Sequence, residues 1–222
     1  MDGEVSEDLA MLLKKGAEAS LFLEQWHGRK VIMKKRLPKG YRLPELDERI
    51  RSYRTVHEPQ LMHQSKEAGV PTPTILMVDV KEANIIMEYI EGEQVKQILH
   101  TLTTEQRRKM CNHIGVLIGN LHNHGVIHGD LTTSNMILTS HGRIVFVDFG
   151  LGEFSTELEA RGVDLHLMKR AFQSTHYQYA KEGFEAVMAG YTEVVGEELA
   201  KDVSEKIEEI EARGRYILRE EG

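Results

Sequence analysis

The whole chain holds one cysteine, Cys111, so no intrachain disulfide can form and a reducing, intracellular and cytoplasmic setting is expected. No apolar run approaches the roughly 18 residues that a bilayer span needs, so no membrane association is expected. The opening Met1-Asp2-Gly3-Glu4 is acidic and carries no signal-peptide pattern. Internal repeats and low-complexity linkers are also lacking. What remains is an ordinary soluble composition, 41% hydrophobic and 28% charged. Its 222 residues suffice for one good core or two small lobes.

Net charge is −7, which argues against a surface that binds nucleic acid everywhere. The charge is uneven, however. Residues 29 to 54 carry ten Lys/Arg against Glu45, Asp47 and Glu48, whereas residues 182 to 222 carry twelve acids against five bases. A basic N-terminal half and an acidic C-terminal end either meet different partners or are two solvated faces.

The pattern along the chain predicts an N-terminal lobe over 1–91 of five strands and one helix, and a helical lobe over 92–222, with the boundary near Glu91-Gly92. Strands are expected from Leu9 to Leu13, at 20–26, 30–34, 75–80 and 84–89, with His27-Gly28 as a tight turn. Pro38 and Pro44 bracket a basic loop. A helix is expected at about 47–68, with Ile50, Tyr53 and Leu61 among its apolar positions and Pro59 bending or dividing it. Thr103-Thr104-Glu105-Gln106 is a capping-box pattern. Met110, Ile114, Leu117 and Leu121 follow at helical spacing as a buried stripe, and Gly125 suits a C-cap. A strand pair near 136–138 and 144–147 and helices at 163–180 and 182–214 complete the reading.

The chemistry concentrates in His128-Gly129-Asp130-Leu131-Thr132-Thr133-Ser134-Asn135 and, after an apolar run, Asp148-Phe149-Gly150. That is the order of parts for moving a phosphoryl group from Mg-ATP. Asp130 would orient or accept a proton from an attacking hydroxyl, and Asn135 and Asp148 would offer hard oxygens to Mg²⁺. Lys34 closes the apolar strand Val31-Ile32-Met33-Lys34, where a kinase needs a lysine for the α- and β-phosphates, and Glu58 is the candidate partner. Lys35 and Arg36 compete by adjacency, but alternation puts Lys34 and Lys35 on opposite faces. Lys15-Gly16-Ala17-Glu18-Ala19-Ser20 lies where a phosphate-covering loop belongs, with one glycine rather than three. Met87, Glu88 and Ile90 stand at the lobe junction. Backbone groups of Glu88 and Ile90 could bind adenine, with Met87 behind it and Ile32, Ile137 and Val147 as apolar walls. His122, His124 and His128 have no cysteine or third well-spaced ligand beside them. Cys111 reads as a bystander.

Two absences bear on control. Gly129 occupies the place where regulated protein kinases carry an arginine that reads a phosphorylated activation loop, and no Ala-Pro-Glu follows Gly150. An on-switch by phosphorylation between 151 and 161 is therefore not expected.

These motifs give the chain a resemblance to the small atypical Ser/Thr kinase family of the KEOPS (EKC) complex, akin to the RIO kinases. The matching stretches are residues 14–20, 34–42 with Lys-Gly-Tyr-Arg, 54–58, 128–135, 148–150 and Gly162-Val163-Asp164-Leu165. The resemblance implies an α+β, bilobal protein-kinase-like fold with a reduced, helical C-terminal lobe. It implies ATP held by Lys34 and Glu58, catalysis at Asp130, Mg²⁺ at Asn135 and Asp148, and Asp164 as a buried acid bracing the catalytic loop. The implied partners are a threonylcarbamoyl transferase subunit, a small regulatory subunit and tRNA. The implied process is N6-threonylcarbamoylation of tRNA adenosine, with ATPase activity and some protein phosphorylation. One departure stands out. The family commonly ends in a basic tail, whereas Arg213, Arg215 and Arg219 are followed here by Glu220-Glu221. The rival readings are an independent Ser/Thr protein kinase, a small-molecule phosphotransferase and a scaffold that only binds nucleotide.

Overall fold

The structure, a computed structural model, describes residues 11–220, with side chains through 213. The opening Met1 to Glu4, the expected strand start at Leu9 and Ala10, and the side chains of Arg215, Arg219, Glu220 and Glu221 lie outside the described residues. Two compact units divide the chain: Met1–Gln60 with Pro73–Glu91, and Leu61–Thr72 with Gly92–Gly222. Residues 61–72, expected in the N-terminal lobe, therefore pack with the second unit.

In the first unit β1 (Met11–Lys15), β2 (Ser20–Trp26), β3 (Arg29–Lys35), β4 (Ile75–Asp79) and β5 (Asn84–Glu88) form one antiparallel sheet in the order β1-β2-β3-β5-β4. Between β2 and β3, His27 and Gly28 both take positive φ, 48° and 75°. A two-residue turn of that hand matches the twist of the strands it joins. The register sets Lys34 opposite Ile85 and Ile32 opposite Met87 at the centre of the sheet.

Helix α1 (Pro44–Glu67) starts in this unit. Its buried residues here are the polar Asp47, Thr55 and Glu58, whereas Tyr53, read from sequence as one of its apolar positions, is 61% exposed. The expected bend or break at Pro59 does not divide it. Just beyond the proline, Leu61 and Met62 are buried and the Ser65 hydroxyl donates to the Leu61 carbonyl. That packing offsets the roughly 3 kcal/mol a helix-interior proline costs.

The second unit adds β6 (Gly92–Gln94), α2 (Val95–Ile98), α3 (Thr104–Asn123), β7 (Val126–Ile127), β8 (Met136–Thr139), β9 (Ile144–Phe146), β10 (Glu153–Phe154), α4 (Leu158–Thr175), α5 (Ala180–Val195) and α6 (Glu197–Glu220). β6-β8-β9 and β7-β10 are its two small sheets. The Thr103 hydroxyl accepts from Gln106 N–H and the Gln106 side chain accepts from Thr103 N–H, the reciprocal cap expected from the sequence. Gly125, at φ 69°, ends the helix. Ile114, Leu117 and Leu121 are buried as expected. Met110 is half-buried, and Cys111 and Ile118 complete the stripe instead. Burial pushes the Cys111 thiol up to about 12, so it is an inert core group.

The expected helix at 182–214 is two helices, because Gly196 at φ 88° breaks the chain direction between α5 and α6. The expected helix at 163–180 begins earlier, at Leu158, and ends at Thr175. Among the described residues no helix is long and apolar enough to cross a membrane.

Helices α3 and α5 meet backbone to backbone. A Cβ on Gly115 would lie 1.9 Å from the Val187 carbonyl oxygen, and one on Gly190 would lie 1.9 Å from that of Asn112. Gly190→Ala is thus expected to lower unfolding free energy by about 1–3 kcal/mol, as overpacking of a filled core does. Gly40→Ala, whose Cβ meets open space, should stay within about 0.5 kcal/mol. Urea denaturation of the two variants checks this.

Candidate functional site

Each unit gathers its own share of the expected chemistry. In the first, β3 and α1 bring Lys34 and Glu58 together. Lys34 Nζ donates to Glu58 Oε1 at 2.7 Å, and both residues are nearly fully buried, at 5% and 1% exposure. Lys35 stays on the opposite, partly open face. Arg36, read from sequence only as a competitor for the lysine position, is buried as well, and its Nη2 donates to the other Glu58 oxygen. Its backbone N–H bonds the Ala83 carbonyl at 3.1 Å, one rung beyond Lys35 opposite Asn84, so strand alternation carries Arg36 to the same face as Lys34. One carboxylate thus orients two cations. A buried pair needs such extra bonding to offset its desolvation.

The expected phosphate loop is a tight turn with Gly16 N–H bonded to Ala19 O at 2.9 Å. Lys15, Gly16 and Ala17 are exposed, Glu18 and Ala19 half-buried and Ser20 buried. Glu18 accepts from Arg42 at 3.2 Å and Arg54 at 2.5 Å, and Asp47 accepts from Arg42 at 3.4 Å and Arg51 at 2.7 Å. Lys34, Arg36, Arg42, Arg51 and Arg54 are therefore spent on acids within the unit, which halves the basic stretch read from sequence. At the end of β5, Met87 is buried. The Glu88 N–H already bonds Thr74 O at 2.8 Å, so any bond from Glu88 to adenine falls to its carbonyl.

In the second unit the loop from His128 to Asn135 is held by Asp164 of α4. The wholly buried Asp164 carboxylate accepts from His128 N–H at 2.8 Å and Gly129 N–H at 2.9 Å, and lies 3.2 Å from His122 Nε2. His122 in turn meets the Tyr191 hydroxyl through Nδ1 at 3.1 Å, and burial pushes that phenol up to about 12. The sequence placed Asp164 only through family resemblance. His122 and Tyr191 carried no local signal, because their partners lie 42 and 69 residues away.

Asn135 Nδ2 donates to Asp130 Oδ2 at 2.8 Å and to Asp130 O at 3.0 Å. Both acceptors are oxygens, so the amide nitrogen faces Asp130 and the amide oxygen points away from it. Val147 N–H bonds Asn135 O at 2.9 Å, which sets the next residue, Asp148, beside Asn135. Asp148 holds φ 65°, a strained conformation for a non-glycine residue and one that clusters at functional sites. An amide oxygen and a carboxylate suit Mg²⁺, which takes few protein oxygens and keeps several waters. Ile137, expected as a pocket wall, is half-buried on β8 opposite Gln94 and Val145.

Gly129 has a structural reason. Its φ is 78°, and a Cβ there would lie 2.1 Å from the Leu151 carbonyl oxygen. Gly152 is equally tight, with Ile127 O 2.7 Å from its Cβ position. The segment after Gly150 thus lies backbone to backbone on the loop that starts at His128. β10 pairs with β7, and Ser155 N–H bonds Gly125 O at 2.9 Å. His128 packs against Phe149 with ring centroids 4.4 Å apart, and its Nε2 lies 3.2 Å from the Val147 carbonyl. His124 is exposed and bonds Asn120 O at 2.9 Å, so the three histidines of 122–128 serve separate roles. In the acidic C-terminal part, Arg213 pairs with Glu159 at 2.5 Å and Lys169 with Glu211 at 2.9 Å.

The sequence profile of the lipopolysaccharide kinase (Kdo/WaaP) family matches residues 13–191. This is a kinase-like protein with an α+β fold, antiparallel strands first and helices after. It is 49% identical over 211 residues to the KEOPS complex subunit Bud32 of Pyrococcus abyssi, covering 92% of this chain and 96% of that protein. It is 45% identical over 205 residues to a probable bifunctional tRNA threonylcarbamoyladenosine biosynthesis protein of Methanothermobacter thermautotrophicus, and 42% over 207 residues to a protein of the same name from Methanosarcina acetivorans. Those matches cover 92% of this chain but 36% and 35% of the bifunctional proteins, so the chain spans about a third of their length. The chain belongs to the kinase family this profile describes, and its similarity along nearly its whole length places it with the Bud32 subunits.

Burial lowers three histidines below their ordinary 6.5: His128 against the pull of Asp164, Asp148 and Asp130; His166 against Glu211; and His176 with help from Lys96 and His100. In the window below 6.5 the unfolded chain takes up protons that these folded sites refuse. Stability is therefore expected to be full above about pH 7 and to fall as pH drops through the middle sixes. That window lies above the one in which Asp47 and Glu159 lose their ion pairs, because both carboxylates titrate below their ordinary 3.8 and 4.5. Thermal unfolding across about pH 5 to 8 reads it, and a flat profile would contradict it.

Proposed function

We propose that this chain is the Mg-ATP-dependent phosphotransferase or ATPase subunit of a KEOPS-type complex that supports N6-threonylcarbamoylation of tRNA adenosine. The observation that carries the reading is the Asp130–Asn135 pair, held on an Asp164-braced loop, in a chain similar over nearly its whole length to a KEOPS complex subunit. In this reading Asp130 orients or deprotonates the attacking oxygen. Lys34, aligned by Glu58, meets the nucleotide phosphates, and residues 15–20 cover them. Met87, the Glu88 carbonyl, Ile90 and Ile137 serve the adenine. Asn135 and Asp148 would hold Mg²⁺, which supplies charge neutralisation at the phosphates when bound. The partners are a threonylcarbamoyl transferase subunit, a small regulatory subunit and tRNA, in the cytoplasm. Fusion of the matching region into bifunctional tRNA threonylcarbamoyladenosine biosynthesis proteins supports the first of these.

Control by phosphorylation between Leu151 and Arg161 does not belong to this reading. β10 and the bonds of Gly152 N–H to Phe149 O and Ser155 N–H to Gly125 O already order that segment. Weak Ser/Thr kinase activity on protein hydroxyls is a side activity of the same site.

The test follows the label of γ-labelled ATP with and without the transferase partner and tRNA. Release as free phosphate, faster with both present, is expected. Asp130→Asn and Asp148→Ala should each lower turnover at least about 100-fold, the scale of a lost general base or of lost charge neutralisation. Label settling on a protein hydroxyl regardless of partner and tRNA would favour an independent kinase instead.

A further inference from the structure

A second buried contact joins the loop carrying Asp130 and Asn135 to a distant part of the chain. Thr133, between those two residues and 1% exposed, places its Oγ1 2.9 Å from Nε2 of His176, which is 4% exposed. His176 ends α4, where its N–H bonds Phe172 O at 2.8 Å. Its Nδ1 lies 3.2 Å from the Tyr179 hydroxyl, and its ring stacks on Tyr179 at 25° with Phe172 on another side. Tyr179 lies 4.2 Å from the Arg107 guanidinium. Both ring nitrogens are thus engaged and the ring plane is fixed. The titratable groups that act on it are Lys96 and His100. A neutral imidazole gives one donor and one acceptor, and the two hydroxyls complement either tautomer. Gln94 Nε2 donates to Ser134 O at 2.9 Å and holds the next residue of the turn.

Helix α4 therefore reaches the loop twice, with Asp164 at its entry and His176, just past the helix end, at its middle. We propose that His176 is a positioning residue for phosphoryl transfer, acting through Thr133 to fix the turn Thr133–Asn135 and with it the spacing of the Asp130 carboxylate and the Asn135 amide. This rests on the reading of Asp130 and Asn135 as the transfer site. A misplacement of about 1 Å there can cost on the order of 100-fold in rate. An apolar side chain of threonine's shape would fill the space equally well, so packing alone does not call for the hydroxyl.

The experiment compares Thr133→Val, Thr133→Ser, His176→Phe and the double variant Thr133→Val/His176→Phe in the full chain. ATP turnover, nucleotide affinity and thermal unfolding are measured on each. Thr133→Val and His176→Phe are each expected to lower kcat about 10-fold or more with KM for ATP within about twofold. The double variant should be no worse than the poorer single, and Thr133→Ser should recover most of kcat. Unchanged kcat in Thr133→Val, additive losses, or a kcat loss that only follows a fallen Tm would overturn the proposal. If His176→Phe does not fold, His176→Gln with Thr133→Val carries the same cycle. Asp130→Asn separates the two ideas: turnover that survives it refutes the transfer-site reading, whereas turnover lost there but intact in Thr133→Val refutes the positioning role alone.

Discussion

The wholly buried carboxylate of Asp164 is the constraint on which the second unit depends. An ionised group without solvent is costly unless donors surround it. Here two backbone N–H groups, from His128 and Gly129, and the His122 ring supply them. Hydrogen bonds to a charged group contribute about 1.5–3 kcal/mol each. The loop cannot drift from α4 without exposing that cost, so the need to satisfy one buried acid becomes the positional precision of Asp130 and Asn135. His122 extends the arrangement to Tyr191 on α5, so α3, α4 and α5 share one polar core.

The first unit solves a related problem in another way. Glu58 is nearly as buried, and two cations two residues apart at the end of β3 converge on it. Lys34 is held by a partner that is itself held by Arg36. A lysine side chain has about 2 kcal/mol of rotamer freedom to lose, and this arrangement loses it before any ligand arrives. The same unit spends Arg42, Arg51 and Arg54 on Glu18 and Asp47. A stretch that reads as uniformly basic in sequence is thus partly an internal network of part-buried ion pairs.

Glycine fixes distances that side chains would spoil. Gly129 and Gly152 let the 128–135 loop and the segment after Phe149 lie in backbone contact, while Gly115 and Gly190 do the same for α3 and α5. An arginine at position 129 would need both a strained φ and space that the Leu151 carbonyl occupies. The absence of that regulatory residue and the close fixing of residues 151–155 are one fact seen twice.

Sequence reading located what depends on local pattern. The strands of the first sheet, the His27-Gly28 turn, the Thr103 capping box and the pairing of Lys34 with Glu58 were all legible, because alternation, turn chemistry and motif spacing act over a few residues. Misreadings arose where distant packing overrides local preference. Pro59 does not divide helix α1, which buries the polar Asp47, Thr55 and Glu58 before the proline and the apolar Leu61 and Met62 after it. The exposure of Tyr53 and the His122–Asp164–Tyr191 and Thr133–His176 contacts were not readable for the same reason. The sequence by itself determined which chemical groups are present and in what order they occur along the chain. Only the tertiary structure decided which of them are buried and paired, since the cost of an unsatisfied polar group depends on neighbours that lie tens of residues away.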